Sequence, residues 1–409
     1  LCAAGAPLRA CVITARESVC LCEAARALRD ADMTSCCDPV VCPYAKGYYD
    51  RAEGVIRRML AAGNSLFTGR AIRAAAEAGH VCPYELSLDL SEYCELIICD
   101  YNYVFSPTAR LRRYFGDGEP AGRYVFLVDE AHNLPDRVRE MYSGGLSLAA
   151  VRGIRESFLR FEQEGREKYL FPDEDLPVRG EELTAAALED VIGALSRMAA
   201  LCAGTAVTGA DGVRRGTALD RTCPDELIAA ADALSRRCAR WIRNNPEHPL
   251  GAPAAALFRM LRELLTAASY YDRGYVTYVE AVGEDVAVRL VCLDPAPILR
   301  PLLHRAVARV LFSATLTPTE YFADILGGGA DSVQAMFGSP FPPENLCISV
   351  ADQLSTRFGD RDKTCRTVGS YIAAAVSAKP GNYLVYLPSY EYLEKAVSYT
   401  HLRAHETSQ

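Results

Sequence analysis

Tyr124–Asp136 reads YVFLVDEAHNLPD, and this stretch decides the fold. Its apolar run, Tyr124–Val128, is too short for a helix and does not alternate, the pattern of a strand buried on both faces of a parallel sheet. Strands in open α/β sheets present ligand-binding residues at their carboxyl ends. Here the next two residues are adjacent carboxylates, Asp129 and Glu130, followed by His132. Runs of similar texture recur at Ala10–Thr14, Leu96–Cys99, Val307–Phe312 and Tyr383–Leu387, so the expected class is α/β with a parallel sheet. Amphipathic helices are expected at Tyr48–Ala62 and Arg70–Ala78.

The 409 residues are 50% hydrophobic and 23% charged, which excludes a disordered or collagen-like chain. A formal charge of −8 excludes a generally basic surface, so any polyanion must meet a local patch. No apolar run approaches the ~18 residues of a membrane span, and the start, LCAAGAPLRACVITARE, lacks a signal-peptide layout; a soluble, cytoplasmic protein is expected. From Arg139 to Asp285 the texture becomes helical, with expected helices at Ala185–Leu201, Asp225–Asn244 and Ala254–Ala268. TYVEAV and VAVRLVCL, joined by a hairpin at Gly283–Asp285, are expected to return the chain to the sheet. Pro-rich Phe337–Leu346 reads as a linker.

The DEAH stretch carries chemistry. In P-loop nucleotide hydrolases a carboxylate at the position of Asp129 holds the Mg²⁺ that bridges the terminal phosphates of ATP. Glu130 is placed to take a proton from the attacking water, and His132 to sense the nucleotide site. The bland alternative is a strand ending in a solvated acidic turn. A second strand-plus-turn, VARVLFSATLTP (Val307–Pro318), supplies Ser313 and Thr315, hydroxyls able to hydrogen-bond the acidic motif.

Ten of sixteen cysteines lie between Cys2 and Cys99. In a long α/β chain this clustering points to a metal or iron–sulfur site rather than to a disulfide scaffold. Three groups precede the acidic motif: Cys20 and Cys22; Cys36, Cys37 and Cys42; and Cys82. Four thiolates hold a [4Fe–4S] cluster. Cys42 and Cys82 both stand in C-P-Y, where proline keeps the cysteine out of a continuing helix. Cys94 and Cys99, beside or within a strand, read as core thiols.

With CDYNYVFSP (Cys99–Pro107), D-E-A-H, S-A-T, F-P-P-E-N and NYLVYLPSYEYLEKA (Asn382–Ala396) in this order, the sequence resembles the XPD/DinG family of iron–sulfur superfamily 2 DNA helicases. The resemblance runs from Ala10 to about Ala396. It implies a RecA-like motor domain from 1–19, 95–138 and 286–340, a cluster domain at 20–94, a helical arch at 139–285 and the start of a second motor domain at 341–397. It implies ATP-driven 5′-to-3′ translocation on single-stranded or forked DNA, with ATP, Mg²⁺ and a [4Fe–4S] cluster as cofactors, and a role in DNA repair. The implied cluster ligands are Cys20, Cys37, Cys42 and Cys82, in the manner of the bacterial pattern, with Cys22 and Cys36 as rivals.

Two departures stand out. No G-x-x-x-x-G-K-[ST] phosphate loop occurs, so the chain is expected to be an internal fragment, inactive alone. The end, VSYTHLRAHETSQ, reads as a non-native tail over 398–409 or a frayed helix, and His401 and His405 lack further ligands. The rival function is a non-hydrolysing iron–sulfur DNA-binding module. For DNA, the expected stripe is Arg51, Arg57, Arg58, Arg70 and Arg73, with Tyr48 and Tyr49 as stacking faces.

Overall fold

The computed structural model describes residues 8–23, 37, 39, 42–116, 124–168, 183–245, 248–329, 332–379 and 381–397; Cys36, His401, His405 and the tail 398–409 lie outside them. The chain forms two units, Leu1–Gln334 and Ala335–Gln409.

In the first unit, strand β1 (Ala10–Val12) lies between β2 (Leu66–Phe67) and β3 (Leu96–Ile98), all parallel. β4 (Val125–Val128) pairs in parallel with β10 (Ala308–Leu311), Val125 opposite Ala308 and Val128 opposite Leu311. The α/β class with parallel strands is therefore realised. Burial on both faces is not: Phe126 and Val128 face the core, while Val125 and Leu127 are 56% and 57% exposed. Val310 on β10 is exposed too, because nothing among the described residues covers that face.

Between β1 and β3 the chain builds a helical lobe. Helix α1 is Arg16–Val19, and α2 (Tyr48–Ala61) buries Tyr48, Ala52, Val55 and Ile56, the i, i+4, i+7, i+8 stripe of one helical face. Thr68 caps α3 (Gly69–Gly79) by accepting the Ala71 N–H at 3.3 Å. Helix α3 crosses close to α2 at Gly79, where a Cβ would come within 2.4 Å of Val55 Cγ2. Pro83 opens α4 (Pro83–Ser91), whose Leu86 and Leu90 close the lobe's core with Phe67 and Ile72.

The expected helical insertion carries a sheet of its own. β5 (Gly144–Ser147), β6 (Val207–Thr208), β7 (Arg214–Asp220), β8 (Tyr275–Val282) and β9 (Asp285–Cys292) form an antiparallel sheet in the order β5-β9-β8-β7-β6. The hairpin at Gly283 is present, with Val282 opposite Asp285, but its strands do not rejoin the parallel sheet. They pair with β5 and β7 instead, and the return runs through a helix at Ala296–Leu303. Long helices at Leu148–Lys168, Asp225–Asn244 and Gly251–Ser269 complete this lobe. Gly144 lets β5 lie against the last of these, since a Cβ there would meet the Glu263 carbonyl at 2.3 Å. The expected helix at Ala185–Leu201 is α-helical only over Glu189–Met198, with 3₁₀ turns at either end.

In the second unit a helix at Arg361–Ala378 packs Cys365 against Tyr392 and Ala396 of a helix over 390–397. Tyr383–Leu387 forms no strand. A strand needs a neighbour for its backbone groups, and among the described residues of this unit none pairs with it. No helix among the described residues is long and apolar enough to cross a membrane.

Candidate functional site

The acidic turn and the S-A-T turn meet. Parallel pairing of β4 with β10 continues one step beyond the strands, through Phe312 N–H to the Val128 carbonyl (3.0 Å) and Ala131 N–H to the Phe312 carbonyl (3.1 Å). This places Ser313 beside Glu130 across 183 residues of sequence. Ser313 Oγ donates to Glu130 Oε2 at 3.1 Å and lies 2.6 Å from His132 Nδ1, which is itself 3.3 Å from the same carboxylate oxygen. With the serine proton given to the carboxylate, the 2.6 Å contact requires that His132 Nδ1 carry a proton. Thr315 N–H donates to Ser313 Oγ at 3.2 Å, and the two hydroxyls are 3.4 Å apart. Glu130 adopts φ +46°, the left-handed region unusual for a residue with a Cβ, and its N–H donates to Asp129 Oδ1 at 2.8 Å.

Tyr101, to which the sequence analysis assigned no role, holds this turn. Its hydroxyl donates to the backbone carbonyls of Asp129 and Glu130, the latter at 3.0 Å. Burial and the two carboxylates push the hydroxyl pKa up, so it remains a donor. Asp129 and Glu130 are both exposed, open to a ligand at the carboxyl end of β4.

Cys20, Cys37, Cys42 and Cys82 all line one cavity of about 220 Å³, with Arg16, Tyr49 and Glu85 among its other walls. Cys22 is not on that wall; it is buried against Cys42. Both C-P-Y turns work alike. Proline contributes no N–H, and the N–H groups of the next two residues face the sulfur: Tyr44 and Ala45 for Cys42, Tyr84 and Glu85 for Cys82. At Cys82, which precedes α4, they lie at longer range than a capping hydrogen bond. These dipoles favour the thiolate, while burial opposes it more strongly, pushing Cys42 up to about 11 and Cys82 upward as well.

Arg16, also missed from sequence, donates to Cys37 Sγ at 3.4 Å, pairs with Glu85 at 3.2 Å and lies 4.5 Å over the Tyr84 ring. Burial alone would lower its pKa, but Cys37 and Glu85 outweigh that and raise it. Among the described residues no three His, Cys, Asp or Glu side chains converge as they would around one metal ion. A single tetrahedral ion with bonds of ~2.3 Å would draw its sulfurs within about 3.8 Å of one another. Four cysteine thiols around one cavity are a donor set chemically able to hold a [4Fe–4S] cluster.

The expected DNA stripe separates into parts. Tyr48 is only 5% exposed and donates to Asp89 Oδ2 at 2.7 Å, so it cannot offer a stacking face; Tyr49 is 89% exposed and can. Arg51 is spent on the carbonyls of Lys46 and His80, and Arg57 pairs with Glu53 at 2.6 Å. Arg58, Arg70 and Arg73 are exposed.

Residues 2–151 match the DEAD_2 family. The ATP-dependent DNA helicase chl1 of Neosartorya fischeri is 21% identical over 379 residues, covering 87% of this chain and 42% of that protein. The general transcription and DNA repair factor IIH helicase subunit XPD of Schizosaccharomyces pombe is 24% identical over 387 residues, covering 82% and 49%. The chain is similar to CHL1- and XPD-type helicases. The chain spans less than half the length of these two relatives. Among solved structures, an XPD helicase gives a TM-score of 0.38 at 15% identity, covering 80% of this chain and 52% of that one. S. tokodaii Xpd4 gives 0.41 at 15% identity, covering 76% and 57%.

Proposed function

We propose that this chain is the hydrolysis-coupling and strand-splitting portion of an ATP-dependent DNA helicase that moves 5′ to 3′ on single-stranded or forked DNA. The observation that carries the reading is Ser313, on the turn after one strand, bound to both Glu130 and His132 on the turn after its neighbour. Asp129 would hold the magnesium ion, which when bound clamps the terminal phosphates of ATP. Glu130 takes the proton of the attacking water. Because the same carboxylate is tied to Ser313, any movement of Glu130 toward that water alters the link to β10. Tyr101 keeps the turn in its left-handed conformation during that exchange.

Cys20, Cys37, Cys42 and Cys82 would hold a [4Fe–4S] cluster, which when bound cross-links segments that share no strand. Arg16 neutralises charge at Cys37. Tyr49, Arg58, Arg70 and Arg73 would meet the single strand by stacking and phosphate contacts. The direction of travel follows the family resemblance.

The test uses a polypeptide joining this chain to a G-x-x-x-x-G-K-[ST] loop. Glu130→Gln keeps ATP binding, while DNA-stimulated hydrolysis falls by roughly 10²-fold, a typical acid–base contribution. Unchanged hydrolysis removes Glu130 from the chemistry. The alternative reading is a DNA-binding module without hydrolysis. Hydrolysis undetectable even in the unsubstituted polypeptide selects that one.

A further inference from the structure

Cys22 is placed differently from the four thiols on the cavity wall. It is 6% exposed, as is Cys42, and the two form a small buried cluster of their own, with Cys20, Tyr44 and Ala45 around it. Their side chains pack directly against one another. Cys42 thus has two faces: one toward the cavity, the other against a fifth thiol that lines no part of it. Cys20 Sγ turns to the Cys22 carbonyl at 3.6 Å rather than to its thiol, which leaves the Cys22 and Cys42 side chains as the buried pair.

We propose that Cys22 and Cys42 form an oxidation site: when no cluster holds Cys42, a peroxide converts the pair to a disulfide that withdraws Cys42 from the cavity. The inference rests on the cluster reading for its consequence but not for its chemistry. One thiolate attacks a peroxide oxygen, breaking the O–O bond and leaving as a sulfenic acid while the other oxygen departs as water. The second thiol then attacks the sulfenic sulfur, the S–S bond forms and a second water leaves. Two sulfurs together lose two electrons and two protons, and hydrogen peroxide, reduced to two waters, receives both. Hydrogen peroxide is small enough to reach side chains this enclosed, which a bulkier disulfide oxidant is not. A bound cluster would block the reaction, because it occupies Cys42. A disulfide would block the cluster, because three thiolates remain where four are needed.

The experiment uses the whole 409-residue chain, stripped of metal and fully reduced. One equivalent of hydrogen peroxide is added, remaining thiols are alkylated, and proteolytic peptides are read by mass spectrometry. The expected product is one linked peptide pair containing Cys22 and Cys42, lighter by about 2 Da than the reduced pair. No disulfide, or one dominated by Cys20–Cys37 or Cys11–Cys94, overturns the proposal. In parallel, iron and sulfide uptake is measured by iron content and visible absorption. Reduced chain takes up the cluster, peroxide-treated chain does not until a phosphine reductant is added, and peroxide-treated Cys22→Ser still does. Equal loss of uptake in Cys22→Ser overturns the claim that a Cys22–Cys42 disulfide is what withdraws Cys42. Failure of the reduced, untreated chain to take up iron sinks the cluster reading instead, and the peptide analysis then judges the disulfide alone.

Discussion

Replacing Tyr48 with phenylalanine isolates one atom of the helical lobe. The hydroxyl donates to Asp89 Oδ2 at 2.7 Å, and the other carboxylate oxygen accepts from Arg113 Nη1 at 3.1 Å. A hydrogen bond to a charged partner contributes about 1.5–3 kcal/mol. Asp89 keeps Arg113 in the variant, and its side chain is 32% exposed, so water recovers part of the loss and about 1–2 kcal/mol is expected. The ring stays, so packing against Ala52 and Val55 is unchanged. Burial raises the tyrosine pKa first and Asp89 second, so the hydroxyl remains a donor and the effect holds wherever Asp89 is ionised. Hydrogen–deuterium exchange read by mass spectrometry is the suitable assay, because the chain has two units and one melting temperature would mix them. Amides of Tyr48–Ala61 should exchange roughly 5–30-fold faster if they open as a local unit. Affinity for a single-stranded oligonucleotide should not change. Unchanged protection of this helix, or weakened DNA binding without lost protection, would refute the structural assignment of Tyr48.

Three further outcomes are expected. Anaerobically reconstituted chain should be brown, with about four irons, and Cys37→Ser, Cys42→Ser or Cys82→Ser should bleach it while Cys94→Ser should not; a colourless reconstituted wild type rejects the cluster. Arg58→Glu combined with Arg70→Glu should weaken single-strand binding and flatten its salt dependence more than Arg57→Glu does, since Arg57 is already paired; identical salt slopes would place the DNA path elsewhere. His248, packed edge-on against Phe161 and Trp241, has its pKa lowered by burial, so the unfolded chain binds the proton more readily. Stability it contributes is therefore present above the ordinary histidine value near 6.5 and lost as pH falls below it, which exchange in the Asp225–Asn244 helix should report and His248→Gln should abolish.

What could be read from sequence follows from how local each signal was. β4 and β10 were legible because an apolar run, followed at once by acids or hydroxyls, already encodes a strand and the ligand-facing turn after it, though not the exposure of Val125, Leu127 and Val310. β5 and β7 were not: GGLS and RRGTALD carry glycine and arginine where a strand signal needs branched or aromatic side chains, and only the sheet beside them makes them strands. Tyr48 and Tyr49 are neighbours in sequence but 100° apart on a helix. The spacing to Ala52 and Val55 already marked Tyr48 as the inward one, so that error was avoidable. Arg16 and Tyr101 were out of reach, because each acquires its role from a partner brought close only by the fold. Tyr383–Leu387 was misread because a strand-like composition states a preference, and pairing requires a neighbour.

The twin C-P-Y turns have a consequence for how such a site can change. Each aims its sulfur with three consecutive residues, so the geometry at Cys42 does not depend on the geometry at Cys82. The stretch between them can lengthen, shorten or drift in composition while both turns stay intact. Drift there would alter the spacing of the sulfurs without spoiling the local polarity at either one. Cys37 stands in no C-P-Y and leans on Arg16, reached from another segment. Of the four proposed ligands, Cys42 and Cys82 are therefore portable and Cys37 is contextual, and grafting this lobe onto a foreign scaffold should succeed or fail on whether Arg16 travels with it.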